Sequence, residues 1–361
     1  MLRIERCRST IWPPPLSFSF RLLSICLFAA RCFAQVAPFS FPGAKPADIP
    51  QAWKRLVGEY GPEQTSLIVL EKSGKLILRE KDSSEIGLQP APGGNFTLDK
   101  PPASPLHVRF GEVAKDRANS LSLGDVSFPR RQLGPEEGQV FRIQPSRSID
   151  DLRKEALAVS PPHEQGHFRA PDLVDLAALD PTIHLDIRYA TSNDFLGTPV
   201  YTQARALLQR PAAEALVRAL LRVKPFSYGL LIHDAYRPWY VTKIFWDATP
   251  PEGKIFVADP AQGSRHNRGC AVDLTLYELQ TGKPIQMPGT YDEMSPRSFP
   301  DYPGGTSLQR WHRDLLRWAM ESEGFSVYEH EWWHFDYKDW REYPILNVPF
   351  EKLQFSEKQV R

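Results

Sequence analysis

No single sheet or helical bundle accommodates this chain, because the spacing of its apolar residues changes across residues 147–171. From Ile49 to Ser146 apolar residues come in short alternating runs. "TSLIVLEKSGKLILREKD" holds two of them around "EKSGK", a hairpin signal with Gly74 at the turn. "PLHVRF", "NSLSLGDVSFPRR" and "QVFRIQP" repeat the pattern between turn residues. After residue 171 the chain is mixed. "IHLDIRYA" reads as a strand, "AAEALVRALLRVK" as an amphipathic helix, and "YGLLIHDAY" and "CAVDLTLY" as buried strands. "SLQRWHRDLLRWAMESEG" reads as a long helix closed by Gly324, and "HEWWHFDY" as a final strand. At 361 residues the chain is also longer than one usual domain. The expectation is a small antiparallel β accessory domain at 49–146, a linker at 147–171, and an α+β domain at 172–355 whose antiparallel sheet carries flanking helices.

The linker contains a short helical stretch and then Pro161, Pro162, Gly166 and Pro171, which break regular structure. It also holds "PPHEQGHF", with His163, Glu164 and His167 in His-Glu-x-x-His order. That motif binds zinc only on a helix, where residues four apart share a face. Two leading prolines, an internal glycine and the lack of an apolar face predict a decoy.

The first 34 residues read as an export signal. Arg3, Arg6 and Arg8 precede the apolar "LLSICLFAA", and Ala34 offers a small residue for cleavage. The apolar core is about half the length needed to span a bilayer. An exported protein, periplasmic or extracellular and without a stable membrane span after removal of the signal, is the expectation; a retained anchor is the alternative. Removal would leave Cys270 alone and rule out a disulfide framework. Lys and Arg number 44 against 43 Asp and Glu, so charge offers no case for nucleic acid or an anionic membrane as partner.

Two separated stretches carry the chemistry. "SRHNRGCAVDLTL" supplies His266, Gly269 and Asp273; "EHEWWHFDY" supplies Glu331 and His334. Strand alternation puts Ala271, Asp273 and Thr275 on one face and Cys270 on the other, so Cys270 reads as a small buried residue. The same alternation separates Glu331 and Trp333 from Trp332 and His334, and a bend is needed for Glu331 and His334 to face one site. Two imidazoles, one carboxylate and an open fourth position make the composition of a catalytic zinc site. A hydrogen-bonded pair anchoring a loop is the alternative for His266 and Asp273.

Together these motifs resemble the D-alanyl-D-alanine dipeptidase family, the zinc peptidases of the vancomycin-resistance type. Its Ser-x-His-x-x-Gly-x-Ala-x-Asp and Glu-x-x-His pattern stands here as Ser264, His266, Gly269, Ala271, Asp273, Glu331 and His334. "DIRYATSNDFLGTPVY", "DAYRP" and "YDEMSPRSFPDYPGG" extend the likeness over about Leu173 to Phe350, the C-terminal half. The resemblance implies one zinc ion held by His266, Asp273 and His334, with Glu331 as general base and acid. It implies Arg237 as the group that holds the developing oxyanion, and Tyr189, Ser264 and Asp292 as contacts to a small dipeptide from peptidoglycan metabolism. Asp194 stands where the family commonly has Asn, which bears on the pocket. Two other readings remain: a D,D-carboxypeptidase or endopeptidase on stem peptides, and a noncatalytic zinc-containing wall-binding module, against which Glu331 and Arg237 both argue. An oligomer is compatible with the sequence.

Overall fold

The computed structural model describes residues 39–80, 85–99, 106–135 and 139–353. The expected export signal, with Cys7, Cys26 and Cys32, lies outside these residues.

A short helix α1 (Gln51–Lys54) precedes a largely sheet region. Its strands are β1 (Gly58–Tyr60), β2 (Leu67–Lys72), β3 (Lys75–Glu80), β4 (Glu85–Ala91), β5 (Asn95–Leu98), β6 (His107–Phe110), β9 (Ser120–Leu123) and β10 (Val126–Pro129), with a two-stranded ribbon of β7 (Val113–Ala114) and β8 (Arg117–Ala118) inserted. The eight-stranded sheet runs β1-β2-β3-β4-β5-β6-β9-β10, every neighbour antiparallel. The β2–β3 hairpin closes at Ser73 and Gly74, with φ of 52° and 76°. Two positive φ values in a two-residue loop give the turn whose twist matches the strands it joins. Tyr60, Val69, Leu76, Val108 and Leu121 form the centre of this region's own apolar cluster.

The larger cluster starts earlier than expected: Phe141 and Ile143, in the "QVFRIQP" expected as a strand of the N-terminal domain, are in no strand and pack against it, and helix α2 (Ile149–Leu157) follows inside the stretch expected to be a linker. Ile149, Leu152 and Ala156 recur at the spacing of one helix face and are buried. Next come β11 (Leu173–Asp175), α3 (Leu176–Leu179), β12 (His184–Leu185), β13 (Leu207–Gln209), α4 (Arg210–Val223), β14 (Tyr228–Asp234) and α5 (Trp239–Ala248). They are followed by β15 (Ala271–Glu278), α6 (Ser307–Glu321), β16 (Phe325–Tyr328) and β17 (Glu331–Tyr337). The main sheet runs β12-β14-β15-β17-β16. It departs from the all-antiparallel expectation at one edge, where β12 pairs with β14 in parallel. The segment between those strands contains α4, and a helical crossover is what a parallel pair requires. Helix α4 buries Ala212, Ala215, Leu216, Ala219 and Leu220, the predicted amphipathic face. Helix α6 opens on a capping box of Thr306 and Gln309, and Gly324 after it has a φ of 88°.

The N-terminal sheet is joined to the start of α6 through buried Glu71. The Glu71 carboxylate accepts from the Ser307 backbone N–H at 2.7 Å, and its backbone carbonyl accepts from Arg310 at 2.6 Å. No helix among the described residues is long and apolar enough to cross a membrane.

Candidate active site

The register of three strands sets the floor of the site. Asp273 on β15 lies opposite His334 on β17 and opposite Asp234 on β14. Cross-strand partners point to the same side of a sheet, so the three side chains form a row.

His266 reaches this row from a loop. The Ser264 hydroxyl accepts from the His266 backbone N–H at 3.2 Å and starts a single 3₁₀ turn, His266–Arg268, which Gly269 ends at a φ of 66°. A side chain at Gly269 would also lie 2.4 Å from Leu173 Cδ2, so glycine meets both requirements. Asn267 pins the turn to the β14–α5 connection and to α5 by donating to the Arg237 carbonyl and to Thr242 Oγ1, each at 2.8 Å.

Three potential ligand atoms converge. His334 Nδ1 lies 3.0 Å from Asp273 Oδ1, His266 Nε2 lies 3.3 Å from the same oxygen, and the two nitrogens are 3.1 Å apart. The other ring nitrogens are occupied. His266 Nδ1 is 2.6 Å from the Ala235 carbonyl, and His334 Nε2 is 2.9 Å from Asp336 Oδ1. A carbonyl can only accept, so Nδ1 of His266 carries the proton and Nε2 offers a lone pair; Asp336 imposes the converse arrangement on His334. Asp273 Oδ1 has no hydrogen-bond partner among the described residues. Three converging lone pairs repel unless a cation or a proton lies between them. Burial alone would lower the proton affinity of His334, but Asp336 and Asp273 outweigh it and raise the pKa to about 10. Burial alone would raise Asp273, yet His266 and His334 bring it well below the carboxylate range. This donor set fits a divalent metal with an open fourth position, and among the described residues it is the only such cluster.

Strict alternation would have sent Glu331 away from His334. The β16–β17 ladder instead breaks: Val327 pairs with Phe335, and the next residue, Tyr328, pairs with Glu331. The irregularity takes up Trp332 to His334 and turns the strand end, so Glu331 Oε2 comes within 3.7 Å of His334 Nδ1. Burial first, and then the Asp273 carboxylate, push the Glu331 pKa upward against the opposing effect of His334. A carboxylate that holds a proton this readily suits general base and acid work.

Arg237 follows β14 and is buried. Asp234 Oδ2 accepts from its Nε at 2.9 Å and its Nη2 at 2.7 Å, while Asp234 Oδ1 accepts from Tyr201 at 2.6 Å. The guanidinium lies over the Phe245 ring at 4.7 Å. It reaches 3.8 Å from Asp273 Oδ2, which places a fixed positive charge beside the converging donors.

Tyr189, Tyr291 and Asp292 form a hydrogen-bonded group beside Asp273. The Tyr189 hydroxyl donates to Asp292 Oδ1 at 2.8 Å, and the Tyr291 hydroxyl lies 2.9 Å from that of Tyr189 and 3.2 Å from Asp273 Oδ2. Asp292 Oδ2 is shut off from solvent without a partner among the described residues. Burial raises the Asp292 pKa well above the usual range, a cost that a cationic ligand group would offset. Asp292 has a φ of 61°, in the left-handed region that a non-glycine residue rarely adopts. Its neighbour Glu293 holds it there: the buried Glu293 carboxylate accepts from Thr290 and Ser295 and from both Nε and Nη2 of Arg297 at 2.6 and 2.7 Å. Gly134 closes over this pair, and a Cβ there would lie 2.3 Å from Glu293 Cδ.

One cavity is lined by Tyr189, Arg237, Ser264, His266, Asp273, Asp292, Glu331 and His334, all eight residues singled out from the sequence. Asp194 is not among its lining residues; its Oδ1 accepts from the backbone N–H groups of Leu196 and Gly197, and Phe195 faces the cavity instead. His163, Glu164 and His167 lie in a segment without helix. Glu164 pairs with Arg268 and accepts from the Ile345 backbone N–H at 2.6 Å, and both histidines are exposed. Cys270 is buried, and burial pushes its thiol pKa up. Sequence reasoning passed over Asp234, Tyr291, Glu293 and Asp336. Only their position beside named residues, in "DAYRP", "YDEMSPRS" and "HFDY", hinted at them.

Residues 169–354 match the peptidase family described as D-ala-D-ala dipeptidase. The chain is 35% identical over 179 residues to the D-alanyl-D-alanine dipeptidase of Escherichia coli K12, covering 50% of this chain and 91% of that protein. It is 35% identical over 199 residues to the enzyme of the same name from Enterococcus faecalis, covering 49% and 95%. Against the Streptomyces coelicolor relative the identity is 34% over 175 residues, covering 44% and 87%.

Proposed function

We propose, because the chain belongs to the D-Ala-D-Ala dipeptidase family, that it is a zinc-dependent hydrolase of D-alanyl-D-alanine or a closely related cell-wall dipeptide. The observation that carries this reading is the convergence of His266 Nε2, His334 Nδ1 and the unpartnered Asp273 Oδ1. Zinc held by these residues would supply a Lewis acid beside the scissile carbonyl and lower the pKa of a water to about 7.

The chain's own groups do the rest. Glu331 takes a proton from the attacking water and returns it to the leaving amine. Arg237, fixed by Asp234 and stacked on Phe245, presents donors to the carbonyl oxygen as its charge grows. The Asp292 carboxylate, which lines the cavity, receives the substrate ammonium, and Tyr189 holds its Oδ1. Burying a carboxylate for this purpose favours a free N-terminus: an N-blocked stem peptide brings no positive charge to compensate Asp292. Ser264 acts chiefly by shaping the turn that carries His266.

The reading extends to an exported protein acting on peptidoglycan products outside the cytoplasm, with the N-terminal sheet as an accessory domain. The test is hydrolysis of D-Ala-D-Ala by the full chain before and after chelation and zinc restoration, beside an N-blocked pentapeptide. Activity that survives both chelation and Glu331→Ala overturns the mechanism. Preferred cleavage of the blocked peptide turns the assignment to a carboxypeptidase or endopeptidase.

A further inference from the structure

A second cavity, of about 290 Å³, lies between the N-terminal sheet and the segment that follows the active-site wall. Among the described residues, Lys115, Arg117, Arg130, Arg131 and Arg297 line it against a single carboxylate, Glu59. Two of the five cations are compensated, Arg131 by Glu59 at 2.7 Å and Arg297 by Glu293. The other three meet no carboxylate among the described residues. Among the described residues Arg130 donates only to neutral oxygens, the Tyr60 hydroxyl at 2.9 Å and the carbonyls of Val57 at 2.6 Å and Ala118 at 3.5 Å.

The cavity is a built feature. The Arg130 guanidinium lies directly on Gly58, where a Cβ would fall 2.3 Å from Nη2. Burial lowers the Arg130 pKa, and Arg117 and Arg297 add to this against the opposing effect of the Tyr60 hydroxyl, so like charges crowd together in the cavity. An anion in the cavity would offset that crowding, and guanidinium groups meet oxyanions with paired hydrogen bonds.

We propose that this cleft, walled by Arg117, Arg130 and Lys115, is a binding site for an anionic ligand bearing carboxylate or phosphate groups, separate from the dipeptide cavity. Arg297 borders it and also grips Glu293, the residue beside Asp292, so an occupant would sit one side chain away from the amine-binding wall.

The test is calorimetric titration of the full-length protein with succinate and, separately, inorganic phosphate at low ionic strength. Saturable binding of at least one probe is expected, weakened about tenfold in Arg117→Gln and further in Arg117→Gln with Lys115→Gln. Succinate alone would identify a carboxylate ligand and phosphate alone a phosphate ligand. Both substitutions lie outside the dipeptide cavity and leave chelator-sensitive hydrolysis unchanged, so loss of anion binding is separable from failure of the dipeptidase reading. Arg130→Gln is a secondary variant because Arg130 also braces the sheet. The proposal is overturned if neither probe binds saturably to the wild-type chain, or if the double variant binds as tightly.

Discussion

Asp273 and His334 stand directly opposite each other on adjacent antiparallel strands, with Oδ1 and Nδ1 3.0 Å apart. Ladder register sets these two positions face to face, so the sheet itself brings the pair together. His266, by contrast, depends on one turn held by Ser264, Asn267 and Gly269.

The outer ring nitrogen of His334 is oriented by Asp336. Asp336→Asn is expected to weaken metal binding by about 10–100-fold, since partners of this kind set tautomer and basicity. Competition with a chromophoric chelator reads the change, and unchanged affinity would remove Asp336 from the site.

Glu331→Gln keeps the size of the side chain and removes its basicity. Zinc content is expected to stay near that of the parent, with kcat lower by about 10²–10⁴-fold. Metal analysis beside steady-state hydrolysis separates this outcome from simple loss of the ion.

Asp234 supports Arg237 through two hydrogen bonds to one oxygen. Asp234→Ala is expected to lower kcat by about 10²-fold while zinc remains bound, because Arg237 loses its aim at the carbonyl oxygen. Arg237→Lys should show a loss of similar size, as one ammonium cannot reproduce the fork. A variant with full kcat would contradict the assignment.

Gly134→Ala places a methyl group against the Glu293–Arg297 pair. The expected result is a destabilisation of about 1–3 kcal/mol and a raised KM for the dipeptide, through displacement of Asp292. Denaturant melts and initial rates measure the two effects independently.

His312 gives a stability test away from the metal donors. It lies buried with Nε2 2.8 Å from the Tyr228 hydroxyl, and burial first, with Lys45, lowers its pKa from 6.5 to about 4. Below pH 6.5 the unfolded chain takes up a proton that the folded chain refuses until near pH 4. His312 therefore costs stability progressively as pH falls through that window, by up to about 3 kcal/mol. His312→Gln should flatten the curve there, and an unchanged pH dependence would refute it.

Much of this site is legible in the sequence because its chemistry is carried by rare polar letters inside apolar runs. Asp273 and His334 stand out for that reason; His266 lies in a polar loop and is picked out by its spacing from Gly269 and Asp273, Glu331 by its spacing from His334, and Arg237 by "AYRP" just after a buried strand. The disruption of "PPHEQGHF" by proline and glycine was readable in the same way. Asp234 and Asp336 were not, because an aspartate beside a named residue has no period of its own; only pairing across strands gives it a partner. The bend that returns Glu331 to His334 was required by alternation, but its form, a break in the β16–β17 ladder, depends on a neighbouring strand. Helix α2 was underrated because three buried residues in nine make a weak signal next to a proline-rich stretch.

The grip of Glu164 on Arg268 has a practical corollary for anyone trimming the gene. The span that matches the family begins at residue 169, five positions beyond that carboxylate. Excision at the boundary would leave Arg268, at 7% exposure, as an uncompensated charge two residues from His266, a loss that in buried pairs runs to about 3–5 kcal/mol. It would also strip α2 from the core. The smallest autonomous fragment is thus longer than the homologous one, and an expression screen stepping the start from 139 to 169 should find the cliff before Glu164 is reached.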